Sequence, residues 1–127
     1  MPTIKENLQQ AIDIIEATPD AAIDLRDYVH PCGTIFCAAG VLAQHAFFVD
    51  QLQVRSESLE GNASQLANDY CMWGPRPFIR LFASRGEGGG GPGYCDEELY
   101  RQHGDMTDKQ LALARLYHAL KEENANN

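Results

Sequence analysis

No stretch of this chain is basic. Lys and Arg number 10 against 18 Asp and Glu, a net charge of −8, and the deficit runs throughout: 2 against 6 over residues 1–30, 3 against 4 over 31–84 and 5 against 8 over 85–127. Proteins that track a phosphate backbone need clustered cations for counterion release, so no nucleic-acid partner is expected. An acidic surface suits a basic protein partner or nucleic-acid mimicry, and its simplest role is to keep the protein soluble. Long apolar runs are missing too. The longest, Ile35 to Ala43, falls far short of the ~20 residues that span a bilayer, so no membrane association is expected. Residues 1–10 carry Lys5 and Glu6 and no apolar h-region, so no signal peptide is read there. Without an export signal, the four cysteines are expected as reduced thiols in a cytoplasm. In an oxidising compartment they would allow three pairings that the sequence does not rank. The phosphate-loop ending Gly-Lys-Ser/Thr is absent as well. Residues 86–93, Gly-Glu-Gly-Gly-Gly-Gly-Pro-Gly, therefore read as a mobile inserted surface loop.

What is present is an ordinary globular composition. At 127 residues, 44% hydrophobic and 22% charged, the chain reads as one domain spanning 1–127, able to bury its own core. Thr3 and Glu6 have capping-box spacing, and Ile4, Leu8, Ala11, Ile12 and Ile15 recur at helical spacing, predicting a helix over 3–17 that Pro19 ends. Over 20–31 the alternation of Ile23 and Leu25 with Asp24 and Arg26 suits either a short extended piece or an irregular connector. A central helix is predicted over 34–48, with Thr34 as N-cap and Ala38, Ala39, Gly40 and Ala43 keeping it thin enough for close packing. Leu52 and Val54 suit a short edge strand or a loop.

Residues 62–73 read as a helix with Leu66, Ala67, Tyr70 and Cys71 on one face, stopped by Gly74-Pro75. Pro77 opens a short helix over 78–84, with Arg76 and Arg80 on its outer side, and another short helix covers 96–103 before Gly104. The last helix opens with a Thr107–Gln110 capping box and a Met106–Leu111 staple. Its buried stripe is read as Leu113, Leu116, Tyr117 and Leu120, with fraying over 122–127. The expected fold is mainly α: four to six helices packed around a central buried one, with at most a minor β-hairpin.

Chemistry concentrates in 30–45. Cys32 lies just before a predicted helix start, where the macrodipole favours a thiolate, and Cys37 lies in its first turn. A cysteine-dependent hydrolase or transferase would use one of these two. In an unbroken helix, however, His45 stands about 12 Å of rise from Cys37, too far to act as its base. His103 and His118 would need tertiary folding to approach. A structural zinc would draw on Cys32, Cys37 and His45, with His30, Cys71 and Cys95 in reserve, but no second tight pair accompanies Cys32-x4-Cys37. Ligand or anion capture would use Cys32, Gly33 and Thr34 at the helix start, with Arg76, Arg80 and Arg26 adding charge. The competing reading for each is structural: packed cysteines, solvated arginines, and Trp73 in or near the core. No cofactor is expected.

The motif Pro-Cys-Gly-Thr-x-x-Cys-x-Ala-Gly at 31–40 resembles the signature of a family of small uncharacterised proteins of bacteriophages and some bacteria. The specific matches are Cys32, Gly33, Thr34, Cys37, Ala39 and Gly40, while the order of helices around them is similar over most of the chain. The glycine-rich loop departs from that pattern, and Tyr28 stands in the region where the family carries a tryptophan. The resemblance implies phage-type ancestry and a host-cytoplasm setting. The leading expectation is a non-enzymatic accessory protein that binds a host or defence component, either a protein surface or a small ligand. The alternatives are the cysteine enzyme and the zinc-stabilised interaction module.

Overall fold

The structure, a computed structural model, describes residues 2–23, 38–74, 81 and 107–125. Six α-helices and one 3-10 turn lie in these residues, and no strand does, so the mainly helical expectation holds. The helices are α1 (Ile4–Glu16), α2 (Ala38–Leu42), α3 (Ala46–Val49), α4 (Leu59–Ala67), α5 (Tyr70–Trp73) and α6 (Asp108–Ala125); the 3-10 turn is Asp20–Ala22. The predicted helix over 96–103, the glycine-rich loop 86–93 and the Met106 staple lie outside the described residues; of the predicted helix over 78–84 only Leu81 is described, and it is buried in the core.

Helix α1 forms where the sequence places it. Thr3 Oγ1 accepts the Glu6 amide at 3.1 Å and Glu6 Oε1 accepts the Thr3 amide at 2.9 Å, so each fills the other's open donor. Hydrogen bonding to the Thr3 backbone first, and to the Thr3 side chain second, holds the Glu6 carboxyl below its ordinary pKa. Leu8, Ala11, Ile12 and Ile15 are buried as the periodicity requires, and Thr18 folds back to bond the Ile14 carbonyl at 2.7 Å before Pro19 turns the chain away. Helix α6 repeats this logic. Thr107 and Gln110 exchange bonds of 2.9 and 3.1 Å.

The buried face of α6 is nevertheless rotated from the predicted stripe. Leu111, Ala112, Arg115, Leu116 and Ala119 are buried and Leu113 and Leu120 sit at the edges, while Tyr117 is half exposed. Tyr117 turns outward because its hydroxyl donates to Glu16 Oε1 at the end of α1. Lys109 Nζ donates to the Glu16 carbonyl at 2.9 Å, a cation against the negative end of α1. Thr107 Oγ1 bonds Asp20 at 3.2 Å. Helices α1 and α6 form the largest helix pair of the molecule.

Two predicted helices are each broken in two. The 34–48 helix appears, within the described residues, as α2 and α3. After Leu42 the bonds tighten, His45 N donating to the Leu42 carbonyl, and His45 then turns extended at φ −106° and ψ 130°. Nothing in Ala43-Gln44-His45 breaks a helix by local propensity. The break lets Phe48 enter the core, where it stacks on Trp73 with ring centroids 5.5 Å apart. The small residues behave as expected: Ala38, Ala39, Gly40 and Ala43 are buried, and α2 packs on α4 and α1.

The 62–73 helix starts earlier, where Ser58 Oγ accepts the Gly61 amide at 3.0 Å, and it ends at Ala67. Asp69 then restarts the chain as α5, its Oδ1 accepting the Cys71 and Met72 amides at 2.8 and 3.1 Å. A short carboxylate that offers the next turn's N–H groups a partner competes with helix continuation. This restart reverses the expected face: Met72 and Trp73 are buried, whereas Tyr70 and Cys71 point to solvent. Gly74, at φ 73°, closes α5 in a left-handed conformation that glycine adopts without cost. Between Val49 and Leu59 the chain is a loop, with Leu52 buried and Val54 exposed.

Candidate functional site: a cleft between the 52–54 loop and helix α5

Of the residues singled out in the sequence, Cys32, Gly33, Thr34, Cys37, Arg76 and Arg80 lie outside the described residues, as do Arg26, His30, Cys95 and His103. The described remainder do not converge. His45 is exposed at the N-cap of α3, where the chain is no longer helical, so the unbroken helix expected to lead up to His45 is interrupted. His118 lies on α6 with its Nε2 4.0 Å from Glu122 Oε1. Cys71 is an exposed free thiol on α5. Among the described residues, no group of three or more His, Cys, Asp and Glu side chains could hold a metal ion.

What the helix breaks do create is a cleft of about 280 Å³. Leu52, Gln53 and Val54 form one wall, the last turn of α4 with Gln65 and Asn68 forms the floor, and Asp69, Tyr70 and Cys71 form the other wall. Val54 is 64% exposed and Tyr70 69% exposed, so two large apolar side chains stand at its rim in contact with water. Among the described residues that line it, Asp69 is the only charged one. The Gln53 and Gln65 amides make no hydrogen bond within the described residues, whereas Asn68 donates to the Ser64 carbonyl at 2.9 Å.

Both walls are fastened to one buried side chain on α1. Asn7, 0% exposed, donates from Nδ2 to the Met72 carbonyl at 3.1 Å and accepts at Oδ1 from Gln51 Nε2 at 2.9 Å. Gln51 also donates to the Phe47 carbonyl at 2.9 Å. Met72 follows the wall residue Cys71 and Gln51 precedes the wall residue Leu52, so Asn7 sets how far apart the walls stand. Trp73 anchors the same wall from below, donating its indole N–H to the Leu66 carbonyl at 2.8 Å. A buried polar side chain with both ends bonded in a low-dielectric interior specifies one arrangement strongly.

Sequence reasoning missed Asn7, although a signal was present: a polar residue beside Leu8 and one turn before Ala11, on the apolar stripe of α1. An unbroken 62–73 helix would bury Tyr70, and the restart at Asp69 turns it to solvent instead. No helix among the described residues is long and apolar enough to cross a membrane. Comparison with family models, with curated proteins and with solved structures finds no match to this chain.

Proposed function

We propose that this chain is a non-enzymatic accessory protein of bacteriophage type that acts in a host cytoplasm by binding a host or defence protein. The phage setting rests on the motif at 31–40. The binding reading rests on one observation: a cleft whose walls are held from behind by buried Asn7 and Trp73 while Tyr70 and Val54 stand exposed at its rim. Exposed aromatic side chains cost free energy in water, and a rigidly presented tyrosine is among the commonest anchors of protein interfaces. Preorganised walls also lower the ordering cost of association.

Affinity capture from a bacterial lysate with wild-type and Tyr70→Glu baits tests this. Tyr70 is 69% exposed and is not part of the described core, and circular dichroism checks that the helices are kept. One component should be recovered reproducibly by the wild type and be depleted about tenfold or more with the variant, the loss expected for a hot-spot aromatic. Equal recovery of every component by the two baits overturns the reading.

A further inference from the structure

We propose that the cleft takes an arginine-bearing segment of a protein partner, the guanidinium seated between Asp69 and the ring of Tyr70; this deepens the binding reading above and rests on it. Charge comes first. Residues 38–74 hold four acids, Asp50, Glu57, Glu60 and Asp69, against one base, Arg55. Arg55 already sits 3.6 Å from Asp50. The cleft is therefore bordered by a described chain segment with surplus negative charge, and the one charged residue of its described lining is acidic.

Geometry sharpens the choice. Asp69 uses Oδ1 for the Cys71 and Met72 amides, while Oδ2 accepts no hydrogen bond within the described residues. The adjacent Tyr70 ring is 69% exposed, offering a face on which a planar cation stacks. Arginine satisfies both at once, because its flat fork bonds a carboxylate while its face lies on an aromatic ring; the compact ammonium of lysine does so less well. The Gln53 and Gln65 amides have spare donors and acceptors for a peptide backbone. Size points the same way. At about 280 Å³ the cleft stands at the small end of the ~300–1,000 Å³ range of ligand pockets and has room for one inserted side chain with its flanking backbone.

The test is a nuclear magnetic resonance titration of the full chain with three short capped peptides that differ only at the central position: arginine, its neutral isostere citrulline, or glutamate. The arginine peptide should shift the backbone amides of Val54, Asn68 and Cys71, with citrulline binding about tenfold more weakly and glutamate not at all. Raising salt from about 0.05 to about 0.5 M should weaken the arginine peptide alone. Asp69→Asn keeps the cap on α5, since asparagine caps as well as aspartate, and should still reduce arginine-peptide affinity to the citrulline level. Citrulline binding as tightly as arginine, or Asp69→Asn leaving affinity unchanged, overturns the charge assignment. No shift with any peptide, in a protein whose Tyr70-dependent capture persists, overturns this occupant and leaves the binding reading standing. Absence of both overturns the two together.

Discussion

At the scale of single residues, Asn7 is the buried polar side chain that ties the cleft walls to α1. It is fully buried, and its two bonds reach Gln51 and Met72, distant in sequence from it and from each other. Asn7→Leu keeps the branched outline with bulkier methyl groups but strands the Met72 carbonyl and one Gln51 donor, and leaving a buried polar group unpaired costs about 1–3 kcal/mol. Urea unfolding should show that loss, and the amides of the 52–54 loop should exchange faster with solvent even where the global fold persists. Tyr117 offers a second test, through pH. Its hydrogen bond to Glu16, with smaller contributions from burial and from the charges of Glu16 and Asp13, raises the phenol above its ordinary pKa of 10.0. The neutral phenol is the form favoured by folding, so its contribution is full below that ordinary value and is lost as pH rises through the higher folded value. Tyrosinate absorbance should show a late-ionising component, and Tyr117→Phe should remove it. The anomaly of a polar residue on the apolar stripe of α1 was legible in the sequence. Its partners were not, because contacts made across the tertiary fold leave no local pattern.

At the scale of elements, what the sequence made legible was whatever is decided within one helical turn. The capping boxes at Thr3–Glu6 and Thr107–Gln110 formed as their spacing required, and Gly74 stopped α5. The breaks at 43–45 and 68–69 were not legible, because each is set by what the following turn must bury: Phe48 in one case, Met72 and Trp73 in the other. Since the cleft exists only because of the second break, the candidate site escaped sequence reasoning for the same reason. The start of α4 shows how tightly such a junction is built. Ser56 N donates to Asn62 Oδ1 at 2.7 Å, Ser58 N donates to Ser56 Oγ at 3.1 Å, and Ser58 Oγ caps Gly61. A Cβ on Gly61 would stand 2.3 Å from Ser56 Oγ and 2.6 Å from Ser56 Cβ, closer than atoms pack. Gly61→Ala would gain about 1 kcal/mol in helix propensity, yet overpacking costs typically about 1–3 kcal/mol and here also breaks the serine knot. A net fall in melting temperature is expected, where an unconstrained helix would show a rise.

At the scale of the whole molecule, the question is whether the α1–α6 pair and the cleft region unfold as one. The core joins them. Leu8, Ala11, Ile12 and Ile15 on α1 belong to the same buried cluster as Leu111, Leu116 and Ala119 on α6 and Phe48, Leu66, Met72 and Trp73 on the cleft side. Helix α1 is the shared element, packing on α6, α5 and α2. A destabilisation introduced in α6 should therefore be felt at Trp73. Leu116→Ala removes a fully buried side chain and should cost about 2–5 kcal/mol, a large part of the ~5–15 kcal/mol that holds a domain folded. Trp73 is the only tryptophan, so its fluorescence reports the cleft side alone, while far-ultraviolet circular dichroism is weighted towards the long helices α1 and α6. In denaturant both signals should move to the same lower midpoint with an unchanged slope, as a single cooperative unit requires. If the dichroism midpoint falls while the Trp73 midpoint stays put, the shared core through α1 does not couple the two sides, and Asn7 cannot be transmitting the packing of α1 to the walls of the cleft.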